Sequence, residues 1–506
     1  MSAQDAAERD AAKILRQTPQ EDLKAWLASR RWYADKGREI SGITFESVLS
    51  EQVGPRALSL CITRVEFRDG GEALYFVPLT LAERPEGGDR IATITLDGQH
   101  LEIADGVLAP EFGEWFRDRF APGRSNEDTD WEFALHPDGR STWNASRAER
   151  PRVMGAEQSN TSIRYGDIMI AKLIRRLQPG PNPDEEVLRA LAGMPRAWAP
   201  AFVGGVRWNA SDTTTYPVAL LQAFVPNTGD GWSWMLARLA GIASGAFDPE
   251  RDEFEPERLL GRRTGELHLA LAAVEEPAFV PMAATTDDLA EDRARVLTAS
   301  ATAIDLIHDN QSRMPAALQH KLPEIESRLR ETDDLAAGFA DEVGLARIRV
   351  HGDYHLGQTL RTLDHDWTVV DFEGEPGRPC AERRQRFSVL KDVAGMLRSF
   401  GYARGVAERA ASEEHPAAGK ALAAWERGAR LAFLGGYRTA IGKSPTPLAP
   451  QDDEAFSRAL RAWEIDKALY EVAYEARNRP DWIGIPLRAL LPEGAPQDDT
   501  TAGAPA

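Results

Sequence analysis

Arg349-Val350-His351-Gly352-Asp353-Tyr354-His355-Leu356-Gly357-Gln358, followed after a short gap by Trp367-Thr368-Val369-Val370-Asp371-Phe372-Glu373, is the stretch on which the reading of this chain turns. An apolar run ends at a His-Gly-Asp loop, an amide stands five residues beyond the Asp, and a second Asp closes the next β-rich run. Phosphoryl transfer needs such a set. One carboxylate orients an acceptor hydroxyl and takes its proton, while an amide oxygen and another carboxylate hold Mg²⁺ on nucleotide phosphates. Asp353 is thus the expected base, with Gln358 and Asp371 the expected metal ligands. A plain strand-turn-strand, its Asp and Gln satisfying turn amides, accounts for each residue but not for the array.

The Asp-to-amide spacing is that of the kinase catalytic loop, with Gln358 in the place of the usual Asn. Upstream, Val153-Met154-Gly155-Ala156-Glu157-Gln158-Ser159-Asn160-Thr161-Ser162 joins two β-rich runs. Such a loop can offer backbone N–H groups and the side chains of Ser159, Asn160, Thr161 and Ser162 to phosphates, although it is neither a GxGxxG nor a Walker loop. Lys172 lies in the apolar run Ile168-Met169-Ile170-Ala171-Lys172-Leu173, where a cation needs a partner. Glu185 or Glu186 of the next helix is expected to supply it; a lysine reaching water from an edge strand is the alternative. Ala219-Leu220-Leu221-Gln222-Ala223-Phe224-Val225-Pro226, then a polar Asn227-Thr228-Gly229-Asp230 linker, suits a hinge whose backbone pairs with a nucleobase edge near Gln222 and Phe224. Near the C-terminus, Lys467, Tyr470, Tyr474 and Arg477 are spaced 3, 4 and 3 and share one helix face. Two flat rings between a Lys and an Arg suit a sugar; packing tyrosines flanked by solvated charges are the bland alternative.

Around these segments the pattern predicts a helix over 5–30, then strands at 43–48, 58–67, 73–81 and 91–96. Arg68-Asp69-Gly70-Gly71 and Pro85-Glu86-Gly87-Gly88 carry hairpin chemistry. Residues 111–150 read as transitional, with an aromatic-rich segment at 112–133. A second β-rich stretch (162–165, 168–173, 202–208 and 218–224) is interrupted by a helix at 184–192. Long helices follow from about 230 (232–240, 258–271, 287–307, 323–332), broken only by a β-rich passage between 348 and 372. The expected organisation is an α+β, bilobal, protein-kinase-like fold with an N-terminal sheet-rich cap. Residues 1–110 form the cap, 111–228 an N-lobe with the nucleotide-binding sheet, 229–488 a helical C-lobe, and 489–506 a disordered tail.

The chain has 506 residues, with 60 Lys plus Arg against 79 Asp plus Glu, for a formal charge of −19. That balance argues against a nucleic-acid or anionic-membrane binder, which needs a basic face. Only Cys61 and Cys380 are present, so no zinc spacing or disulfide framework is available and a reducing compartment is expected. The acidic N-terminus shows no signal peptide, and no apolar run approaches the roughly 18 residues of a bilayer span. A cytoplasmic protein is expected.

Several longer motifs resemble bacterial maltokinases. These are Gly155-Ala156-Glu157-Gln158-Ser159-Asn160-Thr161-Ser162, Pro179-Gly180-Pro181-Asn182-Pro183, Gly261-Arg262-Arg263-Thr264-Gly265-Glu266-Leu267-His268, the block from His351 to Arg361, and Asp371-Phe372-Glu373-Gly374-Glu375-Pro376. Tyr474-Glu475-Ala476-Arg477-Asn478-Arg479-Pro480 is similar too, and Trp26-Leu27-Ala28-Ser29-Arg30-Arg31-Trp32-Tyr33-Ala34-Asp35-Lys36-Gly37-Arg38 resembles that family's cap. The resemblance spans about residues 20 to 486. It implies an aminoglycoside-phosphotransferase-like kinase that makes maltose 1-phosphate from maltose and ATP with Mg²⁺, feeding α-glucan (glycogen) synthesis. It also implies that Asp353 is the base, Gln358 and Asp371 bind metal, Lys172 contacts the phosphates with Glu186 as its helix partner, and Lys467, Tyr470, Tyr474 and Arg477 line the sugar site with His355 and Glu373 nearby. Some members are fused to a trehalose synthase domain, for which this chain has no room, so trehalose synthase is a candidate partner. The rival readings are a glucosamine or other sugar kinase of the same fold, and a non-catalytic nucleotide- or glucan-binding pseudokinase.

Overall fold

The computed structural model describes residues 13–83, 89–96, 99–123, 130–155, 159–194, 198–211, 213–375, 377–411 and 418–490. The chain forms two compact units, Met1–Gly193 with Pro200–Pro226, and Met194–Ala199 with Asn227–Ala506.

The first unit opens with a short helical turn at 13–15 and then α1 (Gln20–Ser29). The single helix expected over 5–30 is therefore broken. Pro19 has no N–H to continue a helix, and the Thr18 hydroxyl donates to Leu15 O, closing the preceding turn; residues 5–12 lie outside the described set. A seven-stranded antiparallel sheet follows, built on β1 (Ile40–Val53), β2 (Arg56–Phe67), β3 (Glu72–Phe76), β4 (Leu79–Ala82), β5 (Arg90–Leu96) and β6 (Gln99–Asp105). β2 pairs with β1 along one edge and with β3 and then β4 along the other. The strand expected over 73–81 is thus two strands, divided at Val77 and Pro78. Because β2 is covered on both faces its side chains alternate between two cores: Leu58, Leu60 and Ile62 in one, Ala57, Cys61, Val65 and Phe67 in the other. The second core takes Leu23, Trp26 and Leu27 from α1.

The turn at 68–71 does join paired strands, β2 and β3. The second expected hairpin does not form, because β4 and β5 both pair with β6 instead of with each other; residues 85–88 themselves lie outside the described set. The described residues of 112–146 are more regular than their composition suggested. They hold α2 (Phe112–Asp118), β7 (Trp131–Leu135) and α3 (Arg140–Ser146). Phe112, Trp115 and Phe116 of α2 enter the first core, which continues into a six-stranded sheet of order β7-β12-β13-β10-β9-β8. Its strands are β8 (Pro151–Val153), β9 (Asn160–Tyr165), β10 (Met169–Ile174), β12 (Phe202–Ser211) and β13 (Thr214–Ala223), with β7 at the edge; β11 (Arg176–Leu177) joins the first sheet beside β3. The helix α4 (Pro183–Leu191) lies between β11 and β12 in sequence.

The second unit begins with β14 (Asn227–Asp230), which pairs with β17 (Thr359–Thr362); the segment expected as a polar linker is a strand. β17 pairs in turn with β18 (Trp367–Val369), while β15 (Met282–Ala283), β16 (Ala346–Arg349) and β19 (Arg386–Phe387) make a second small sheet. The longer helices are α5 (Gly231–Ala243), α6 (Glu255–Ala272), α7 (Thr286–Asn310), α8 (Leu322–Arg330), α9 (Leu390–Ala411), α10 (Ala418–Ile441), α11 (Asp453–Asn478) and α12 (Gly484–Leu490). α6 and α10 meet backbone to backbone. A Cβ on Gly261 would stand 1.9 Å from Phe433 O, and one on Gly436 would stand 2.0 Å from Arg258 O, so each helix needs glycine where the other crosses it. α12 includes 489 and 490, the first two residues of the expected tail; 491–506 lie outside the described set. Among the described residues no helix is long and apolar enough to cross a membrane.

Candidate active site

In the second unit, β16 delivers the chain into the loop that holds Asp353. Asp392, in the first turn of α9, accepts the amides of His351 at 2.7 Å and Gly352 at 2.9 Å. Its carboxylate also faces His268, whose Nε2 donates at 3.1 Å while its Nδ1 accepts from the Tyr437 hydroxyl at 2.9 Å. Burial would raise the Asp392 carboxyl, but the His268 hydrogen bond, the electrostatic pull of the His268 and His351 rings and the Gly352 amide bring it below the usual carboxylate range. His351 Nε2 donates to Val370 O at 3.0 Å, which leaves Nδ1 to face the Asp353 amide at 3.4 Å. Gly352 sits at φ +84, a conformation that an L side chain resists. The loop's far end is fixed by Leu356 N donating to Ser399 Oγ at 3.1 Å.

Asp353 itself receives Lys467 Nζ from α11 at 3.0 Å, and the same ammonium lies 3.4 Å from Glu375 Oε1. Glu375 is buried and also takes Arg378 and, at 3.8 Å, Lys391. Burial raises both carboxyls, yet the surrounding cations prevail: Asp353 falls below the ordinary value, and Glu375 falls to about 2 under Lys391, Lys467 and Arg378. Burial likewise lowers His355, whose Nδ1 accepts the Gly357 amide at 3.1 Å, so the ring is held neutral. Gln358 Nε2 donates to Asp371 Oδ2 at 3.1 Å, bringing the two expected metal ligands together with Gln358 Oε1 and Asp371 Oδ1 outside that bond. Asp371 holds φ +69, a left-handed conformation uncommon for a residue with a Cβ. Glu373 O accepts from Arg383 at 2.9 Å.

On α11, Lys467 lies over the Tyr470 ring at 4.8 Å. Tyr470 and Tyr474 are 39% and 47% exposed, which places them on the surface and not in the core. Arg477 is exposed as well. The expected stripe is therefore present as a face, and Lys467 bridges it to Asp353.

In the first unit, Lys172 stands in β10 opposite Ser162 of β9 and Leu220 of β13. Its Nζ donates to Asp184 Oδ2 at 3.0 Å. The acid that receives it is Asp184, one residue ahead of Glu185 and two ahead of the preferred Glu186. The reason is the helix cap. Asn182 Oδ1 accepts Glu185 N and Pro183 opens the helix, so Asp184, Glu185 and Glu186 fan around the first turn, all buried. Glu185 turns to Arg207 of β12. Gln222 is buried and pairs with Ile170 and Phe202, and Phe224 N donates to Ile168 O at 2.9 Å, beneath the Arg164 guanidinium. Ser162 is buried in β9, Thr161 Oγ1 accepts from Arg175 Nε at 2.9 Å, Asn160 opens the same strand, and Ser159 is exposed.

Sequence reasoning missed Glu375, Lys391, Arg378, Asp392 and His268. Glu375 stood inside a quoted motif but carried no role. Asp392 had a findable signal, an acid in the first turn of a helix, yet nothing local said that it would catch the amides of a loop 40 residues earlier.

Residues 26–107 match the family of maltokinase N-terminal cap domains. A glucosamine kinase of Mycolicibacterium smegmatis is 31% identical over 366 residues, 70% of this chain and 82% of that protein. One of Streptacidiphilus jiangxiensis is 30% identical over 67% of this chain and 72% of its own length. A solved structure of a glucosamine kinase in complex with glucosamine, ADP and inorganic phosphate superposes with a TM-score of 0.65 at 22% identity, covering 94% of this chain and 99% of that one, and shares its fold. With the cap at its N-terminus, the kinase-like fold and relatives at that identity and coverage, the chain belongs to the family of capped sugar kinases that includes the glucosamine kinases.

Proposed function

We propose that this sugar kinase transfers the γ-phosphoryl group of ATP to the anomeric hydroxyl of maltose, giving maltose 1-phosphate for α-glucan synthesis. Asp353 takes the hydroxyl proton as the sugar oxygen forms its bond to phosphorus and the bond to the ADP oxygen breaks. Lys467 keeps the Asp353 carboxyl ionised, and Glu375 keeps Lys467 charged and in place. Lys172, oriented by Asp184, meets the nucleotide phosphates near Ser159–Ser162, with Gln222 and Phe224 at the base. Gln358 Oε1 and Asp371 Oδ1 are hard oxygen donors of the kind Mg²⁺ takes alongside phosphates, where the ion neutralises charge. Tyr470, Tyr474, Arg477, His355 and Glu373 would receive the sugar.

The observation that carries the maltose reading is the Lys467–Asp353 pair beside two exposed tyrosines on one helix. A fixed ammonium next to the base disfavours an acceptor carrying its own ammonium, while the rings offer flat platforms to a neutral glucan. Glucosamine is the second reading, favoured by the two relatives above. The trehalose synthase partnership rests on the maltokinase resemblance alone. Incubating the enzyme with ATP, Mg²⁺ and a panel of unphosphorylated sugars, with the product phosphate located by ³¹P NMR, tests the proposal. Maltose 1-phosphate as the best product supports it; faster turnover of glucosamine replaces it with the second reading.

A further inference from the structure

The first unit carries an open pocket of about 370 Å³, most of whose wall has no role above; Asn160 and Thr161 are shared with the proposed phosphate loop. Its walls come from both sheets. Ser29, Arg30, Arg31 and Trp32 follow α1, Asp105 closes β6, and Asn160, Thr161 and Arg175 flank β9 and β10, with Val107, Leu108 and Met154 supplying apolar wall. Three of these residues are arginines. Arg175 is only 1% exposed, and its hydrogen bonds go to neutral oxygens, Thr161 Oγ1 and Phe76 O at 3.2 Å. It stacks over Trp32 at 4.5 Å and makes no ion pair among the described residues. Arg31 is exposed and likewise makes none. Arg30 is engaged with Asp89 and the Ser29 hydroxyl.

A buried guanidinium held in no ion pair is costly, and an anion entering beside it offsets that cost. Asp105 is the nearest acid, but its Oδ1 already accepts the Val107 amide at 3.0 Å, and burial works against its charged form. Burial also depresses Arg175, to about 10, although the Asp105 charge opposes that shift. The wall thus offers two guanidinium forks and the Ser29 hydroxyl, with apolar surface beside them. Guanidinium forks match phosphate oxygens two at a time, and the volume lies in the range of small-molecule sites.

We infer that the pocket walled by Arg30, Arg31, Trp32, Asp105 and Arg175 is a binding site for a small phosphate-bearing metabolite, a sugar phosphate by its size and mixed polarity. The phosphate sits between Arg31 and Arg175, and the sugar hydroxyls meet Asp105 and Ser29. The site is separate from the acceptor site and does not depend on the identity of the sugar phosphorylated.

Isothermal titration of the full chain with glucose 6-phosphate, inorganic phosphate and glucose tests it, each run with saturating ADP so that the nucleotide site is filled. Saturable binding of glucose 6-phosphate, tighter than of phosphate and absent for glucose, is the expected result. Arg31→Ala lies on the surface and leaves the fold intact; loss of one charge-assisted contact should weaken binding by about tenfold or more, with ADP affinity unchanged. Arg175→Gln should weaken it further. If that variant fails to fold, Arg31→Ala alone carries the test. Absence of saturable binding, phosphate binding as tightly as the sugar phosphate, or an affinity unmoved by Arg31→Ala would each overturn the inference.

Discussion

Lys467 Nζ donates to Asp353 Oδ1 at 3.0 Å, joining residues 114 apart in sequence. A lysine expected in the sugar site is thereby the electrostatic partner of the expected base. Because Lys467 favours the ionised form of Asp353, removing it lets burial raise that carboxyl. Lys467→Met should move the acid limb of the kcat/KM profile to higher pH and lower the plateau by about tenfold or more. An acid limb at the wild-type pH would show that the pair does not control the base.

Asp353→Asn keeps the shape of the side chain but cannot accept the acceptor's proton. Loss of a general base typically costs about 10²–10⁴ in rate, so kcat should fall by that order with nucleotide affinity nearly unchanged. Retention of most of kcat would remove Asp353 from the role.

Glu375 titrates at about 2 in the fold against an ordinary value of 4.5. A depressed carboxyl contributes stability that is fully present above its unfolded pKa and is lost as pH falls through the folded one. The shift corresponds to about 3 kcal/mol. Glu375→Gln should therefore be less stable than wild type by roughly that amount at pH 7, with the gap closing between pH 4.5 and 2. Chemical denaturation across that range measures it, and a gap independent of pH would contradict the assignment.

Asp371 combines a candidate metal oxygen with φ +69. Asn tolerates left-handed backbone better than Ala does, so Asp371→Asn should fold like wild type and shift the Mg²⁺ dependence of activity to higher concentration. Asp371→Ala should in addition lose stability, by about 1 kcal/mol from backbone strain. An unchanged Mg²⁺ dependence in the Asn variant would remove this residue from the metal site.

Tyr474 is nearly half exposed, so its truncation should hardly alter the melting temperature. Tyr474→Phe removes one hydroxyl and should cost about 0.5–1.5 kcal/mol in kcat/KM for the sugar. Tyr474→Ala should cost more, with KM for ATP unmoved in both. Equal losses for sugar and nucleotide would return Tyr474 to the role of a surface ring.

The layout of sheets followed by helices could be read from periodicity, because β-branched alternation and helical spacing are local properties. The missed hairpin falls where pairing is non-local. Pro85-Glu86-Gly87-Gly88 has hairpin residues, yet β4 and β5 flank β6, since the register that buries Ile103 and Leu81 outweighs turn chemistry. The break at Pro19 was local and legible, as the missing N–H shows.

Sequence by itself determined the Asp353-to-Gln358 spacing and the shared face of Lys467, Tyr470 and Tyr474, because a loop and a helix fix the separation of residues a few positions apart. Only the tertiary structure decided that Lys172 meets Asp184, that Asp392 clamps the His351 and Gly352 amides, and that Lys467 reaches Asp353. Each of those partners is chosen by burial. A charge taken from water must find its counter-charge wherever the packed chain brings one within reach, and neighbours along the sequence carry no record of that distance.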